Sequence, residues 1–232
     1  MTNLVIIPAR EGSKRILNKN IKSFLGEPII NYPIRIAMQS GCFDEIMVST
    51  NSSDIANIAL SAGAKVPFMR SNKNSNDHAT TADVIKEVLE EYSKKGKSFD
   101  QICCLYPTSV FISTTLINKA SLLLSHEETD GVVTVAPYSQ AIERSLLIQN
   151  NHLYFNNPEL RNTRTQDLET KYYDAAQMYF LKTKAFYKEY TVFVSKSTPL
   201  ILTSMVQDID TKEDWELAEL KYQMMIKNNT KA

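Results

Sequence analysis

The sequence has no run of the roughly 18 apolar residues that a membrane span requires, although its hydrophobic fraction is an ordinary 43%. It has no excess of either charge. The 26 Lys and Arg stand against 26 Asp and Glu, so there is no general basic field of the kind that coats nucleic acid, and any anion site must be local. Histidine is limited to His78, His126 and His152, none beside a serine or cysteine motif, which disfavours a hydrolytic triad. Cysteine is limited to Cys42, Cys103 and Cys104. The last two are adjacent within an apolar run, where strand side chains point to opposite faces, so they read as reduced core residues and not as a redox pair. Neither glycine-rich phosphate motif occurs: there is no G-x-x-x-x-G-K-[ST] and no G-x-G-x-x-G. Met1-Thr2-Asn3 leads straight into strand-like sequence without the basic and apolar regions of a secretory leader, so the expected location is the cytoplasm. Internal repeats, low-complexity tracts and long linkers are also missing. The expectation is one domain over 1–232.

What is present is an alternation of strand-like and helix-like segments. Strands are expected at Leu4 to Ile7, Glu45 to Thr50, Gln101 to Tyr106 and Gly131 to Ala136. Helices are expected at Ile29 to Gln39, with Pro33 limiting its first turn, and at Ile55 to Ala62, capped by the polar cluster Asn51-Ser52-Ser53-Asp54 and closed by Gly63. From Thr80 onward Ala82, Val84, Ile85, Val88, Leu89 and Tyr92 recur with a 3.6-residue period, with Thr80 or Thr81 as cap, and Thr114 to Leu124 is a further helix. This order predicts a three-layer α/β/α sandwich around a Rossmann-like, mostly parallel sheet. Residues 138–173 break the rhythm: Arg144 to Gln149 and His152 to Phe155 flank Asn150-Asn151 as a hairpin would, and an insertion fits better than a core unit. The last residues, from Lys227 on, are polar and expected to fray.

Two segments could carry chemistry. The strand ending at Ile7 runs into Pro8-Ala9-Arg10-Glu11-Gly12-Ser13-Lys14-Arg15-Ile16-Leu17-Asn18-Lys19-Asn20, a loop with four cations and with Gly12 and Ser13 at its turn. Glycine lets the backbone approach closely and exposed N–H groups make an anion cradle, so this loop can hold a polyphosphate mainly by side-chain charge. A solvated basic surface is the plainer reading. Near the other end, Gln207-Asp208-Ile209-Asp210 precedes Thr211-Lys212-Glu213-Asp214-Trp215. In an extended segment Asp208 and Asp210 face the same side, where two carboxylates repel unless a cation sits between them; Mg2+ bound by one or two carboxylates plus phosphates suits that arrangement. Capping of a helix from Thr211 explains one aspartate well and the pair less well. Trp215, Ala218, Tyr222 and Ile226 sit at core spacing on that helix.

The stretch Ile7 to Asn20 resembles the N-terminal signature I-P-A-R-x-G-S-K-x-(I/L)-P-x-K-N of the CMP-sugar-acid synthetases, the cytidylyltransferases for acylneuraminate, pseudaminate, legionaminate and ketodeoxyoctonate. Glu11 replaces a frequent glycine and Leu17 the usual proline. Asp208-Ile209-Asp210-Thr211 with Asp214-Trp215 resembles the family's C-terminal metal motif. Phe68-Met69-Arg70-Ser71 with Asn76-Asp77-His78-Ala79-Thr80-Thr81 is similar to the segment that frames the cytosine. Leu105-Tyr106-Pro107-Thr108-Ser109 resembles the strand end L-Q-P-T-S, with Tyr106 where the neuraminate enzymes carry a glutamine that touches the sugar acid. Arg164-Thr165-Gln166-Asp167-Leu168 and Tyr173-Asp174-Ala175-Ala176-Gln177-Met178-Tyr179 are similar to the pseudaminate branch.

The resemblance implies a nucleotidyltransferase-type fold that joins the anomeric hydroxyl of a nine-carbon 2-keto sugar acid to the α-phosphate of CTP and releases pyrophosphate. It implies that Ala9, Arg10, Gly12, Ser13, Lys14, Arg15, Lys19 and Asn20 hold the triphosphate, and that Arg70, Asp77, Ala79 and Thr81 surround the nucleoside. Tyr106, Gln166, Asp174, Gln177 and Tyr179 would face the sugar acid. Asp208 and Asp210 would hold Mg2+, with Arg10 and Lys19 acting on the leaving group and Asp210 or a metal-held hydroxide taking the proton. It further implies a homodimer joined through the insertion, which also serves the partner's sugar site. Pseudaminic acid is the expected sugar; neuraminate and legionaminate are the alternatives. A nucleotide-sugar glycosyltransferase and a non-catalytic nucleotide-binding protein are the other classes that share these features.

Overall fold

A computed structural model describes residues 1–202 and 205–229. In chain order the elements are β1 (Asn3–Pro8), β2 (Ser23–Phe24), β3 (Glu27–Pro28), α1 (Asn31–Ser40), β4 (Glu45–Ser49), α2 (Ser53–Ser61), α3 (Thr81–Lys94) and β5 (Gln101–Leu105). They continue with α4 (Thr114–Leu124), β6 (Gly131–Pro137), β7 (Leu146–Gln149), β8 (His152–Phe155), β9 (Tyr172–Lys182), α5 (Thr183–Glu189), β10 (Ser197–Ile201) and α6 (Lys212–Asn229). The central sheet has six strands in the order β10-β6-β9-β5-β1-β4. Its pairings β1 with β4, β1 with β5 and β10 with β6 are parallel, while β9 runs antiparallel to both neighbours.

Alternating side chains divide the core in two. Val5, Ile7, Cys103 and Phe180 face α1, α2, α4 and α6, whereas Leu4, Ile6, Cys104 and Tyr179 face α3 and α5. The expected three layers are therefore present, and the adjacent cysteines are buried on opposite faces as free thiols. From β1 the chain moves outward to β4 through α1 and then crosses β1 to β5 through α3 on the other face. That reversal opens a crevice beyond the carboxyl ends of β1 and β5, where ligands of open α/β sheets bind.

Helix starts follow their residues with one exception. Thr80 and Asp83 form a reciprocal capping box at α3. Ser52 occupies the cap of α2 but makes no side-chain bond there, and the neighbouring Asn51 is used elsewhere, accepting the Glu11 N–H at 2.9 Å. Gly63, at φ +95°, closes that helix as expected. Thr211 and Asp214 cap α6 with each other: the Thr211 N–H donates to Asp214 Oδ2 at 2.8 Å and the Asp214 N–H to Thr211 Oγ1 at 3.2 Å.

Three segments depart from the sequence reading. Strand β9 has no counterpart in it, being the antiparallel element between β5 and β6. Strand β10, at Ser197–Ile201, likewise has no counterpart in it; of the end expected to fray from Lys227 on, α6 continues to Asn229 and 230–232 lie outside the described residues. The buried stripe of α6 stops before Ile226, which is 47% exposed, while Trp215 and Ala218 are buried. The hairpin β7–β8 forms as expected over Asn150 and Asn151, both with positive φ, and every residue of its two strands is exposed.

The Thr80 hydroxyl, then the Tyr190 hydroxyl, holds the Asp83 carboxyl down to about 2. A carboxyl lowered by folding stabilises above its unfolded value and loses that contribution as pH falls toward the folded one. Urea denaturation should therefore show a stability decline between about pH 4 and pH 2 that is smaller in Asp83→Asn; an unchanged slope would remove Asp83 from the balance.

Candidate active site

The crevice beyond β1 and β5 is a cleft of about 520 Å³. One wall is the loop after β1, which contributes Arg10, Ser13, Lys14, Arg15, Lys19 and Asn20. Asn20 holds the loop closed by donating from Nδ2 to the Arg10 carbonyl at 2.9 Å, and Gly12 turns at φ +85°, a left-handed region that side chains avoid. Ala9 is buried beneath the loop and Gly12 lies on its far side, in a small adjoining recess. The opposite end of the chain meets this wall directly. Arg15 pairs with Asp210 Oδ1 at 3.0 Å, and Lys19 reaches the same oxygen at 3.3 Å while donating to the Ile209 carbonyl at 2.8 Å.

The packing beneath explains why the ends converge. Phe24 on β2 makes edge contacts with Tyr32 of α1 and with Trp215 and Tyr222 of α6, at centroid separations of 5.4, 5.5 and 5.7 Å. Lys22 covers the Trp215 ring at 4.4 Å. Ile209 is fully buried, so Asp208 and Asp210 on either side of it both line the cleft. Since Thr211 and Asp214 cap α6, neither aspartate is needed for capping. Loss of surrounding water and then the nearby Asp210 raise the pKa of the Asp208 carboxyl. Both cations on Asp210 sit on Oδ1; among the described residues no cation sits on Oδ2. Two repelling carboxylates beside a cationic loop fit a divalent ion whose remaining ligands are water and phosphate; among the described residues no third Asp, Glu, His or Cys joins them.

A second wall is built from α3, the turn before it and the strand ends. Asp77, Ala79 and Thr81 line it with Thr80 and Val84. Arg70 is 6% exposed; its Nε donates to Ser49 Oγ at 2.9 Å and Nη2 donates to the Ser49 carbonyl. Burial lowers its pKa to about 10, and among the described residues it has no carboxylate ion pair, so a buried cation faces the cleft without an anion. Thr81 Oγ1 shares a hydrogen bond of 2.8 Å with the Tyr106 hydroxyl.

Tyr106 lines the end of the cleft at β5, and burial pushes its phenol up to about 12. Behind it stands Tyr179, 2% exposed, with rings 5.7 Å apart; its hydroxyl donates to Asp174 Oδ2 at 2.5 Å. Gln177 is fully buried and does not reach the cleft. Gln166 lies apart, exposed in the turn Thr165–Asp167. The residues expected to face the sugar acid are thus only partly brought together: Tyr106 lines the cleft, whereas Asp174, Gln177 and Tyr179 support its wall.

Sequence reasoning missed why the wall has this shape. Between Val133 and Val135 the β6–β9 register breaks, and β9 bulges at 175–177. Thr134 bridges the gap, its hydroxyl donating to the Met178 carbonyl at 3.1 Å and accepting the Met178 N–H at 2.9 Å; Ser109 Oγ donates to the Gln177 carbonyl at 2.5 Å. The bulge puts Ala176 into the cleft at φ +50°, with its N–H donating to Asp174 Oδ1 at 2.9 Å. Pro107 and Thr108 also line the cleft. Their only sequence signal was the Leu105 to Ser109 match.

A switch-point cleft in which a cationic loop faces two carboxylates marks a phosphate-handling enzyme of the nucleotidyltransferase class. A family model described as cytidylyltransferase matches residues 4–231, and the chain belongs to that family. It is 35% identical over 226 residues to the pseudaminic acid cytidylyltransferase of Campylobacter jejuni, covering 97% of each chain. It is also 35% identical over 236 residues to the CMP-N,N'-diacetyllegionaminic acid synthase of Legionella pneumophila, covering 94% of this chain and 95% of the other. The solved structure of a CMP:2-keto-3-deoxy-manno-octonic acid synthetase complexed with CTP superposes with a TM-score of 0.70 at 16% identity, covering 98% of this chain and all of that one, and has the same fold. No helix among the described residues is long and apolar enough to cross a membrane.

A left-handed alanine costs about 1–2 kcal/mol that glycine does not incur. Ala176→Gly should therefore raise the unfolding free energy by about 1 kcal/mol in urea titrations; a loss of stability would show that the methyl packs where φ +50° is no burden.

Proposed function

We propose that the protein transfers CMP from CTP to pseudaminic acid, releasing pyrophosphate. The reading is carried by one observation: Arg15 and Lys19 of the front loop meet Asp210 of the rear segment in a single cleft. In this mechanism Arg10, Lys14, Arg15 and Lys19 bind the phosphates, Arg70 and Thr81 orient the cytosine, and Asp208 and Asp210 hold Mg2+. The ion supplies charge neutralisation on the phosphate oxygens. Arg10 and Lys19 stabilise the pyrophosphate that leaves, and Asp210 accepts the proton of the attacking hydroxyl.

Pseudaminic acid is favoured by the Campylobacter jejuni relative and by Tyr106, whose bulk and hydroxyl replace a glutamine side chain at the sugar end. The Legionella pneumophila relative supports a second reading, legionaminic acid, at the same identity. The hairpin supports a homodimer. Leu146, Ile148, Leu153 and Tyr154 are 50, 75, 66 and 52% exposed, and a two-stranded ribbon with apolar residues on both faces is marginal alone. Pairing with a second copy would bury it and bring Gln166 toward that copy's cleft. Three free thiols and a CTP substrate suit the cytoplasm.

Pyrophosphate release from CTP should be fast with pseudaminic acid and slow with neuraminic and legionaminic acids; a preference for neuraminic acid would overturn the use made of Tyr106. Asp208→Ala and Asp210→Ala should each lower the Mg2+-dependent rate by about two orders of magnitude or more, and full rates in both would remove the metal assignment. Ile148→Asp combined with Leu153→Asp should convert a dimer into a monomer by light scattering, and an unchanged mass would place the interface elsewhere.

A further inference from the structure

The four cations of the β1 loop are already paired inside the protein. Asp210 takes Arg15 and Lys19, and Asp77 takes the other two: Arg10 Nη2 lies 2.8 Å from Asp77 Oδ1 and Lys14 Nζ 2.6 Å from Oδ2. The two aspartates differ in where they stand. Asp210 belongs to the rear segment fixed by Ile209 and α6, whereas Asp77 sits in the exposed turn between Arg70 and α3. That turn has its own internal order. Asn76 Oδ1 accepts the N–H groups of His78 and Ala79 at 2.8 and 3.1 Å, and this presents Asp77 at the tip, facing the loop. One oxygen per cation is the contact pattern of a phosphate group bridging the same two side chains.

We propose that Asp77 is an internal competitor for the phosphate subsite of Arg10 and Lys14: it must leave for the outer phosphates of CTP to bind, and its return helps to expel pyrophosphate. The inference rests on the reading of this loop as the triphosphate site. The Lys14 ammonium, then the Arg10 guanidinium, holds the Asp77 carboxyl below its ordinary range, so it remains an anion throughout neutral pH. A ligand that needs a conformation populated only in part binds more weakly by that fraction. Every ligand that uses Arg10 and Lys14 is therefore weakened by the same factor, and a ligand that does not use them is untouched. CTP and pyrophosphate belong to the first group and CMP, with only the inner phosphate, to the second. Exposed ion pairs of this kind place the factor at about threefold to tenfold.

Calorimetric titration of CTP, pyrophosphate and CMP, each with Mg2+, into the full chain and into Asp77→Asn tests this. The expected result is a common tightening of CTP and pyrophosphate by about threefold to tenfold with CMP unchanged, and return toward the original values in Asp77→Glu. Weaker CTP binding in Asp77→Asn would overturn the proposal by making Asp77 a direct nucleotide contact, and so would equal tightening of all three ligands or no change in any. Arg10→Ala separates the two levels of the argument. If it weakens CTP and pyrophosphate but not CMP while Asp77→Asn changes nothing, only the competitor role fails. If it weakens all three equally, the triphosphate reading of the loop fails with it.

Discussion

Lys19 donates from its ammonium to the Ile209 carbonyl at 2.8 Å and pairs with Asp210 at 3.3 Å, joining positions 190 and 191 residues apart in sequence. Without that contact the phosphate loop and the paired aspartates would be two unrelated surface features. Exposed ion pairs contribute about 1 kcal/mol or less each, and the Arg15 side chain is 65% exposed, so charge alone does not hold the ends together. The apolar packing below supplies more. Phe24, Tyr32, Trp215 and Tyr222 interlock edge to face, Tyr32 donates to the Phe24 carbonyl at 2.9 Å, and each such aromatic pair adds about 0.5–1.5 kcal/mol beyond its buried area. Aromatic packing thus fixes where α6 begins, and Lys19 then fixes which way Asp210 points.

Charge in the cleft is arranged with the same economy. A chain with no net charge lines this cleft with four loop cations and Arg70 and sets Asp77, Asp208 and Asp210 among them. The balance is uneven. Asp77 is exposed and pairs with Arg10 and Lys14, Asp210 is half-buried and pairs with Arg15 and Lys19, and among the described residues Asp208 makes no ion pair and its pKa is raised. Arg70 is the mirror case, a buried cation without a carboxylate and with a lowered pKa. A polyanionic nucleotide and a divalent ion would satisfy both of these groups at once, since each lacks the partner that the ligand pair carries.

Much of this was legible in sequence because it depends on short-range chemistry. The Leu4 to Ile7 run, the period from Ala82 to Tyr92 and the Asn150-Asn151 turn each specify their element through local preferences, and the same holds for the cation spacing of the loop and the one-residue separation of Asp208 and Asp210. Features that depend on contacts between distant residues were not legible. The antiparallel β9 has no local mark, because Tyr172 to Lys182 would read the same between any two buried strands. The capping of α6 by Asp214 is ambiguous in sequence, where Asp208 and Asp210 compete for the assignment; only the positions of the Thr211 N–H and hydroxyl decide it. Likewise Asn51 looks like a helix cap and is drawn away by the Glu11 N–H, a contact 40 residues back along the chain.

The direction of β9 links the hairpin to the cleft. Because β9 opposes its neighbours, its first residues lie at the edge where β5 and β6 end, which is the cleft edge; Asp174 pairs with Val135 and Tyr172 with Pro137. The chain leaving the apolar hairpin therefore arrives at the Tyr106 end of the cleft, pairs with β6 from Tyr172 to Asp174, passes through the bulge at Ala176, and pairs with β5 only from Met178. A parallel strand in the same place would have put those residues at the far end of the sheet. The bulge is kept open by side chains, since Thr134 and Ser109 take over the hydrogen bonds that a regular ladder would have made. Both oxygens of Asp174 are occupied in the same task, one on the Ala176 N–H and one on the Tyr179 hydroxyl, so a carboxylate that in sequence resembles a substrate ligand has its accepting capacity directed into the wall. The geometry of this end of the cleft is consequently set by residues that stand behind Tyr106 and Ala176, and a change in Asp174, Gln177 or Tyr179 would reach the cleft through those two positions.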